Sequence, residues 1–180
     1  MRKQDLTAQS MVQMAMFTAV LSILSVLQIP MPSGVPLTLQ TFAVALCGSV
    51  LGAWAGAGSV ALYIAVGAAG IPVFAGMKAG VAVLVGPTGG FLFGFLFLAW
   101  LCGAGAGRNK ILATGLGLAG LVCCHLAGVT GFILAAGAGP LQAVVTVSLP
   151  YLIKDALSVA AAVQAGALLR KRLASVYVFK

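Results

Sequence analysis

Acidic residues are almost absent from this chain. Its 180 residues include two, Asp5 and Asp155, against ten lysines and arginines. Charged residues make up 7% of the sequence and hydrophobic ones 62%, whereas a soluble domain carries about 25% charged residues. A surface so poor in charge cannot be kept in water, so the composition predicts an integral membrane protein.

The sequence also has little of what catalysis, metal binding or nucleotide hydrolysis requires. His125 is the single histidine, and the four cysteines lie in apolar runs without C-x-x-C spacing. We interpret the cysteines as small core residues and expect neither a metal site nor a catalytic triad. The glycine-rich runs lack the G-K-[ST] of a phosphate-binding loop. The sequence therefore predicts a non-enzyme without a cofactor, and any active transport must be driven by a partner or a gradient.

Apolar residues fall into six runs separated by proline, glycine or charge. A helix needs roughly 20 apolar residues to cross the hydrocarbon core, and about six crossings fill the chain. We therefore predict an all-α membrane protein, with one six-helix domain over residues 1–180. Three prolines within residues 30–36 end the first run, and a turn at Gly56 and Gly58 precedes a short third run. The predicted spans are residues 11–29, 38–55, 59–69, 88–102, 111–136 and 149–169.

Basic residues lie mostly on one side of this predicted topology. With six spans, both termini, the turn before the third span and the loop after the fourth share one side. That side holds eight of the ten basic residues and is predicted to be cytoplasmic, since cytoplasmic loops are enriched in Lys and Arg. Lys78 and Lys154 belong to the external side. No basic face with interleaved aromatics is present, so we expect a multi-pass protein of the inner (plasma) membrane and no nucleic-acid partner.

Small residues recur at four-residue spacing, which lets membrane helices approach closely. We interpret most of these stripes as intramolecular packing. Ala15 and Ala19 lie on the terminal first helix, so their stripe is also a candidate docking face for another protein. The other stripes are Gly48, Gly52 and Gly56; Gly86, Gly90 and Gly94; and Ala156 and Ala160.

Polar residues converge on the predicted external side. Asp155, beside Lys154 in the sixth run, is costly in lipid and is predicted to face a cavity; alternatively, Lys154 reaches the headgroups while Asp155 pairs locally. The GPTGGF run (86–91) should open the fourth helix with free amides, which suit an anion or a carbonyl. His125 is interpreted as hydrogen-bonded within the bundle. The predicted small-molecule site contains Gln40, Phe74, Lys78, Thr88, Phe91, Tyr151, Lys154 and Asp155.

Three stretches of the sequence resemble the BioY family of bacterial biotin transporters. They are GIPVFAGMKAGVAVLVGPTGGFLFGF (70–95), PMPSGVPLTLQTFAVALCGSVLG (30–52) and, less closely, LPYLIKDALSVAAA (149–162). That family supplies substrate-binding (S) subunits of energy-coupling factor (ECF) transporters. The resemblance implies a six-helix fold that captures biotin from the outer side for import with a transmembrane coupling subunit and ATPase subunits. It also implies that Ala15 and Ala19 dock the coupling subunit.

One position departs from the family pattern. The family commonly has a lysine three residues after the aspartate of the sixth helix, and this chain has Ser158 there, with Lys154 preceding Asp155. The cation that meets the biotin carboxylate is therefore Lys78 or Lys154.

The chemistry of biotin suits the predicted residues. Asp155 can accept the ureido N–H groups in charge-assisted bonds, and Gln40, Thr88 or Tyr151 can donate to the ureido oxygen. The two phenylalanines of the predicted site can pack on the bicycle. Besides capture for ECF-driven import, three functions remain open: a stand-alone facilitated vitamin transporter, a non-transporting membrane assembly subunit, and a membrane enzyme that uses Lys154 and Asp155.

Overall fold

The computed structural model describes residues 8–31 and 35–173. The helices are α1 (Ala8–Val26), α2 (Gln40–Leu51), α3 (Ala53–Ala68), α4 (Val81–Leu84), α5 (Gly89–Ala104), α6 (Lys110–Ala136), α7 (Pro140–Val147) and α8 (Leu149–Leu173). Two short strands, β1 (Gln28–Ile29) and β2 (Leu37–Thr38), pair antiparallel between α1 and α2. Arg2, Lys3, Asp5, Pro32 and Lys180 lie outside the described residues.

Six of these helices correspond, in chain order, to the six predicted spans. Among the described residues, α1, α6 and α8 are long and apolar enough to cross a membrane. The apolar helices α2, α3 and α5 are shorter, with 12, 16 and 16 residues. Twelve residues rise about 18 Å, which is less than the hydrocarbon thickness. The architecture confirms an all-α membrane bundle, and the number of crossings stays a prediction.

Two predicted boundaries are wrong. The first helix ends at Val26, because residues 28–29 leave the helix to pair with β2. The second helix ends at Gly52, where φ is +88°, a conformation that costs glycine little because it has no Cβ. Gly56, predicted to form the turn, lies inside α3, so the third helix is 16 residues long and not short.

Two connections between the predicted spans contain helical segments of their own. The stretch between α3 and α5 contains a 3-10 turn (Ala75–Met77) and the single turn α4. The connection before α8 contains α7, which begins with Pro140 at its first position. Proline suits that position because the first amides of a helix have no intrahelical partner.

Glycines bring the central helices into close contact, as the stripes predicted. A Cβ at Gly94 of α5 would lie 2.8 Å from the Cα of Cys124 on α6. A Cβ at Gly48 of α2 would lie 2.1 Å from the carbonyl oxygen of Ala99 on α5. Three of the four cysteines are buried in this packing, but Cys123 is exposed, so the interpretation of all four as core residues is wrong for Cys123.

Candidate ligand-binding site

A cavity opens where α2, α5 and α8 begin. It encloses about 730 Å³ of empty space, counting its open mouth, and its wall combines apolar side chains with a few polar ones, as is usual for small-molecule sites. The structure brings all eight predicted site residues to its wall: Gln40, Phe74, Lys78, Thr88, Phe91, Tyr151, Lys154 and Asp155.

A buried ion pair forms the polar centre of the cavity. The Asp155 side chain is 9% exposed, and its Oδ1 lies 2.5 Å from the Lys154 Nζ. Lys154 also donates to the carbonyl of Thr38 at 2.9 Å. Lys154 therefore points into the protein, contrary to the alternative in which it reaches the headgroups. The pairing offsets part of the cost of burying both charges.

His125 is the second partner of Asp155, a contact that was not predicted from the sequence. Its Nε2 lies 3.4 Å from the Asp155 Oδ2, and its Nδ1 lies 2.9 Å from the Ser148 hydroxyl. The Asp155 carboxylate near Nε2 favours a proton on that nitrogen. Nδ1 then accepts a hydrogen bond from the Ser148 hydroxyl. The ring also meets the Phe91 ring edge-on, at a centroid distance of 5.9 Å. His125 is hydrogen-bonded within the bundle, as interpreted, and it also lines the cavity.

The side-chain amide of Gln40 is hydrogen-bonded through both its nitrogen and its oxygen. Its Nε2 donates to the Tyr63 hydroxyl at 2.9 Å, and its Oε1 accepts from the Thr38 hydroxyl at 3.1 Å. Tyr63 is fully buried and packs edge-on against Phe74, at a centroid distance of 5.4 Å. Tyr63 was not predicted, although a tyrosine inside an apolar helix usually finds a polar partner. The arrangement leaves one Gln40 N–H for a ligand.

Tyr151 ties α8 to the connection between α1 and α2. Its hydroxyl donates to the carbonyl of Val35, and the Lys154 bond to Thr38 joins the same two parts of the chain. Because the hydroxyl proton is engaged, Tyr151 is less suited than Gln40 or Thr88 to donate to a ligand oxygen.

The GPTGGF turn satisfies more of its own amides than predicted. The Gly89 amide donates to the Gly86 carbonyl at 2.9 Å, and the Phe91 amide donates to the Thr88 carbonyl at 3.1 Å. The prediction of free amides is therefore wrong for these two groups. The turn contributes side chains to the cavity instead, through Thr88 and Phe91.

Lys78 provides a cation at the cavity wall that differs from Lys154. It is exposed and, within the part of the chain that the structure describes, forms no ion pair. The backbone holds its position, because the Phe74 amide donates to the Lys78 carbonyl at 3.0 Å. The cavity thus combines a compensated ion pair with one uncompensated positive charge.

Comparison with solved structures identifies the fold. The chain superposes on the crystal structure of the S-component for biotin from an ECF-type ABC transporter with a TM-score of 0.83 and 24% sequence identity. The match covers 95% of each chain. The two proteins therefore share the S-component bundle.

Sequence comparison identifies the family. "Biotin transporter BioY" of Rhodobacter capsulatus is 44% identical over 117 residues, and the match spans 62% of each protein. "Biotin transporter BioY" of Thermotoga maritima is 42% identical over 123 residues, which are 67% of this chain and 72% of that protein. "Probable biotin transporter BioY" of Pyrococcus horikoshii is 40% identical over 129 residues, covering 72% and 76%. The BioY family model matches residues 1–175, so this chain belongs to the BioY family.

Proposed function

We propose that this chain captures biotin and is the substrate-binding subunit of an ECF-type importer. The observation that carries the proposal is the buried Asp155, paired with Lys154 and His125 in the wall of a cavity that is open to the outside. The proposal is supported by relatives named biotin transporters and by a structural neighbour described as a biotin S-component. A transporter subunit also agrees with the sequence prediction that the chain is not an enzyme.

The ureido ring of biotin suits the polar centre of the cavity. Asp155 accepts the ureido N–H groups in charge-assisted bonds, which are shorter and stronger than neutral ones. Gln40 and Thr88 are placed to donate to the ureido oxygen, since both line the same cavity. Phe91, which is partly buried, offers its ring to the bicycle, while Phe74 is fully buried behind it.

Lys78 is the better of the two candidate partners for the biotin carboxylate. Lys154 already contacts Asp155 and donates to Thr38, so a ligand carboxylate would have to compete for it. Lys78 is exposed at the wall of the same cavity and forms no ion pair among the described residues, so a ligand carboxylate can bind it without displacing another partner. We therefore propose Lys78, of the two lysines, as the partner of the carboxylate in a chain that has Ser158 at the family's lysine position.

The coupling face proposed for this subunit is the small-residue stripe of α1. Ala15 and Ala19 are both exposed, so they are not used for packing inside the bundle. An exposed stripe of this kind lets a second membrane helix approach closely. The proposal places one six-crossing domain in the inner membrane, with both termini in the cytoplasm. Separate ATPase subunits drive import, because the sequence has no phosphate-binding loop.

Biotin titration of the purified full-length chain tests ligand capture. We expect saturable binding by calorimetry. Asp155→Asn should weaken it about 10- to 150-fold, since a hydrogen bond to a charged group contributes about 1.5–3 kcal/mol. Asp5→Asn, the same change at the chain's other acid, is the matched control and should bind normally. A folded chain without saturable biotin binding would refute the proposal.

Uptake assays separate ECF-driven import from stand-alone transport. Cells that express the chain with coupling and ATPase subunits should accumulate biotin, and cells that express the chain alone should not. Replacing Ala15 and Ala19 with leucine should preserve biotin binding and abolish coupled uptake. Accumulation by the chain alone would favour facilitated transport, and loss of binding in the leucine variant would assign the stripe to internal packing.

A further inference from the structure

A second cavity lies at the opposite end of the same helices. It encloses about 700 Å³, counting its open mouth, between the end of α2, the α5–α6 loop and the last turns of α8. Asp155 in the first cavity and Lys171 in the second are separated by a rise of about 24 Å along the α8 axis. The two cavities share no lining residue, so the second one is separate from the proposed biotin site.

Three cations surround this cavity, and none has an acidic partner in the part of the chain that the structure describes. Arg108, Lys110 and Lys171 line it, and no described residue forms an ion pair with them. Asp155, the one acid within the described residues, lies in the other cavity. Like charges around a cavity repel each other, and the repulsion is relieved when an anion binds between them.

The α6 helix adds to the positive potential. It begins at Lys110 beside the cavity, and Asn109 caps it by accepting the Leu112 amide at 2.8 Å. The N-terminal end of a helix carries a partial positive charge, and α6 has 27 residues. This end of α6 favours the same sign of ligand as the three side-chain cations, whereas the C-terminal ends of α2, α5 and α8 at the same cavity act against it.

Ser49 supplies an independent sign of a missing ligand. It lies in the cavity wall and is 4% exposed, and its hydroxyl has no hydrogen-bond partner among the described residues. A buried hydroxyl without a partner is unfavourable, so such groups are uncommon in native proteins. Gln164 lines the wall nearby. The cavity thus offers hydrogen-bond donors of several kinds and no carboxylate.

The surroundings of the cavity favour an amphipathic anion. Val163 and Leu168 form part of its wall, and Leu168 is 59% exposed. Ile111, next to Lys110, is 88% exposed. An apolar surface exposed this far on a membrane helix faces acyl chains. Basic pockets between membrane helices are known to bind anionic headgroups.

We propose that this cavity binds the phosphate group of an anionic membrane phospholipid. The headgroup phosphate sits among Arg108, Lys110 and Lys171, and an acyl chain follows the exposed surface of Ile111 and Leu168. Inorganic phosphate offers the same anionic oxygens without the acyl chain. The proposal does not depend on biotin binding, because it rests on residues outside the biotin cavity.

Thermal unfolding of the purified full-length chain in a neutral detergent tests the proposal. The probes are dioctanoyl-phosphatidylglycerol, dioctanoyl-phosphatidylcholine and sodium phosphate, at equal ionic strength. A ligand that binds the native state raises the unfolding temperature in a concentration-dependent way. We expect a saturable rise with phosphatidylglycerol and at least a tenfold weaker half-saturation with the other two probes.

Variants assign the effect to the cavity. Lys110→Gln combined with Lys171→Gln should weaken the phosphatidylglycerol response at least tenfold, and Ser49→Ala should weaken it several-fold. Arg172→Gln removes a charge from the same helix at a residue that does not line the cavity, so it should respond like the unchanged chain. Two measurements show that each variant is folded. They are an unfolding temperature without lipid equal to that of the unchanged chain, and unchanged biotin binding.

Three results would overturn the proposal. The first is no saturable rise with phosphatidylglycerol. The second is an equal response in the double variant and in Arg172→Gln, which would assign the effect to general surface charge. The third is an inorganic phosphate response as strong as the lipid response, which would exclude a contribution from the acyl chain.

Discussion

Replacing Gly48 by alanine tests the closest helix contact in the bundle. A Cβ at this position would lie 2.1 Å from the Ala99 carbonyl oxygen and 3.0 Å from the Cys102 Cβ. Carbon atoms at optimal separation from a neighbour are about 3.5–4.0 Å away, so α2 and α5 must separate by roughly 1.5 Å. A backbone carbonyl within a helix cannot rotate away, so the whole contact between the two helices has to adjust.

The expected loss of stability follows from two opposing effects. Overpacking a core costs about 1–3 kcal/mol, and a contact with backbone places this change at the upper end. Alanine recovers about 1 kcal/mol of helix propensity relative to glycine. The net loss is about 2 kcal/mol, or about 4–8 °C in the unfolding temperature of a chain of this length.

Tryptophan fluorescence provides the assay. Trp54 on α3 and Trp100 on α5 meet edge-on at a centroid distance of 6.3 Å, so their emission reports on the helices next to the altered contact. Gly115→Ala is the matched control, because Gly115 lies in α6 with nothing within 4 Å of its added Cβ. The control should melt at the unchanged temperature or slightly above it. If both variants melted alike, the close approach of α2 and α5 would be refuted.

Three further predictions concern the proposed biotin cavity. His125→Leu removes one partner of Asp155 and should weaken biotin binding about tenfold, or about 1.4 kcal/mol in a calorimetric titration. Lys78→Met should weaken biotin about tenfold but leave biotin methyl ester unaffected; equal weakening of both ligands would exclude Lys78 as the carboxylate partner. Tyr151→Phe releases the Val35 carbonyl, so hydrogen exchange in the α1–α2 connection should accelerate while exchange in α6 stays unchanged.

The site could be predicted from the sequence because topology alone brings its residues together. Helices that cross a membrane in alternating directions place every second connection on the same side. Thr88 at the start of α5 and Asp155 near the start of α8 had to lie at the same end once the spans were counted. The structure places both in one cavity wall.

The contact between His125 and Asp155 could not be predicted, because it depends on the depth and rotation of α6 against α8. Each residue lies in an apolar run with no polar neighbour that points to the other. The same limit applies to the end of α2. Gly52 and Gly56 are both glycines with small, apolar neighbours in the sequence. Only the backbone conformation, with φ of +88° at Gly52, shows that the turn is at Gly52 and not at Gly56.

The scarcity of acids determines which ligand each end of the bundle can accept. In the first cavity Asp155 compensates one of two lysines, and Lys78 forms no ion pair among the described residues, so one lysine charge is left. One carboxylate, such as that of biotin, neutralises it. In the second cavity three cations have no acid beside them among the described residues. The phosphodiester of a phospholipid carries one negative charge, and its two unesterified oxygens can accept hydrogen bonds from two of these cations at once.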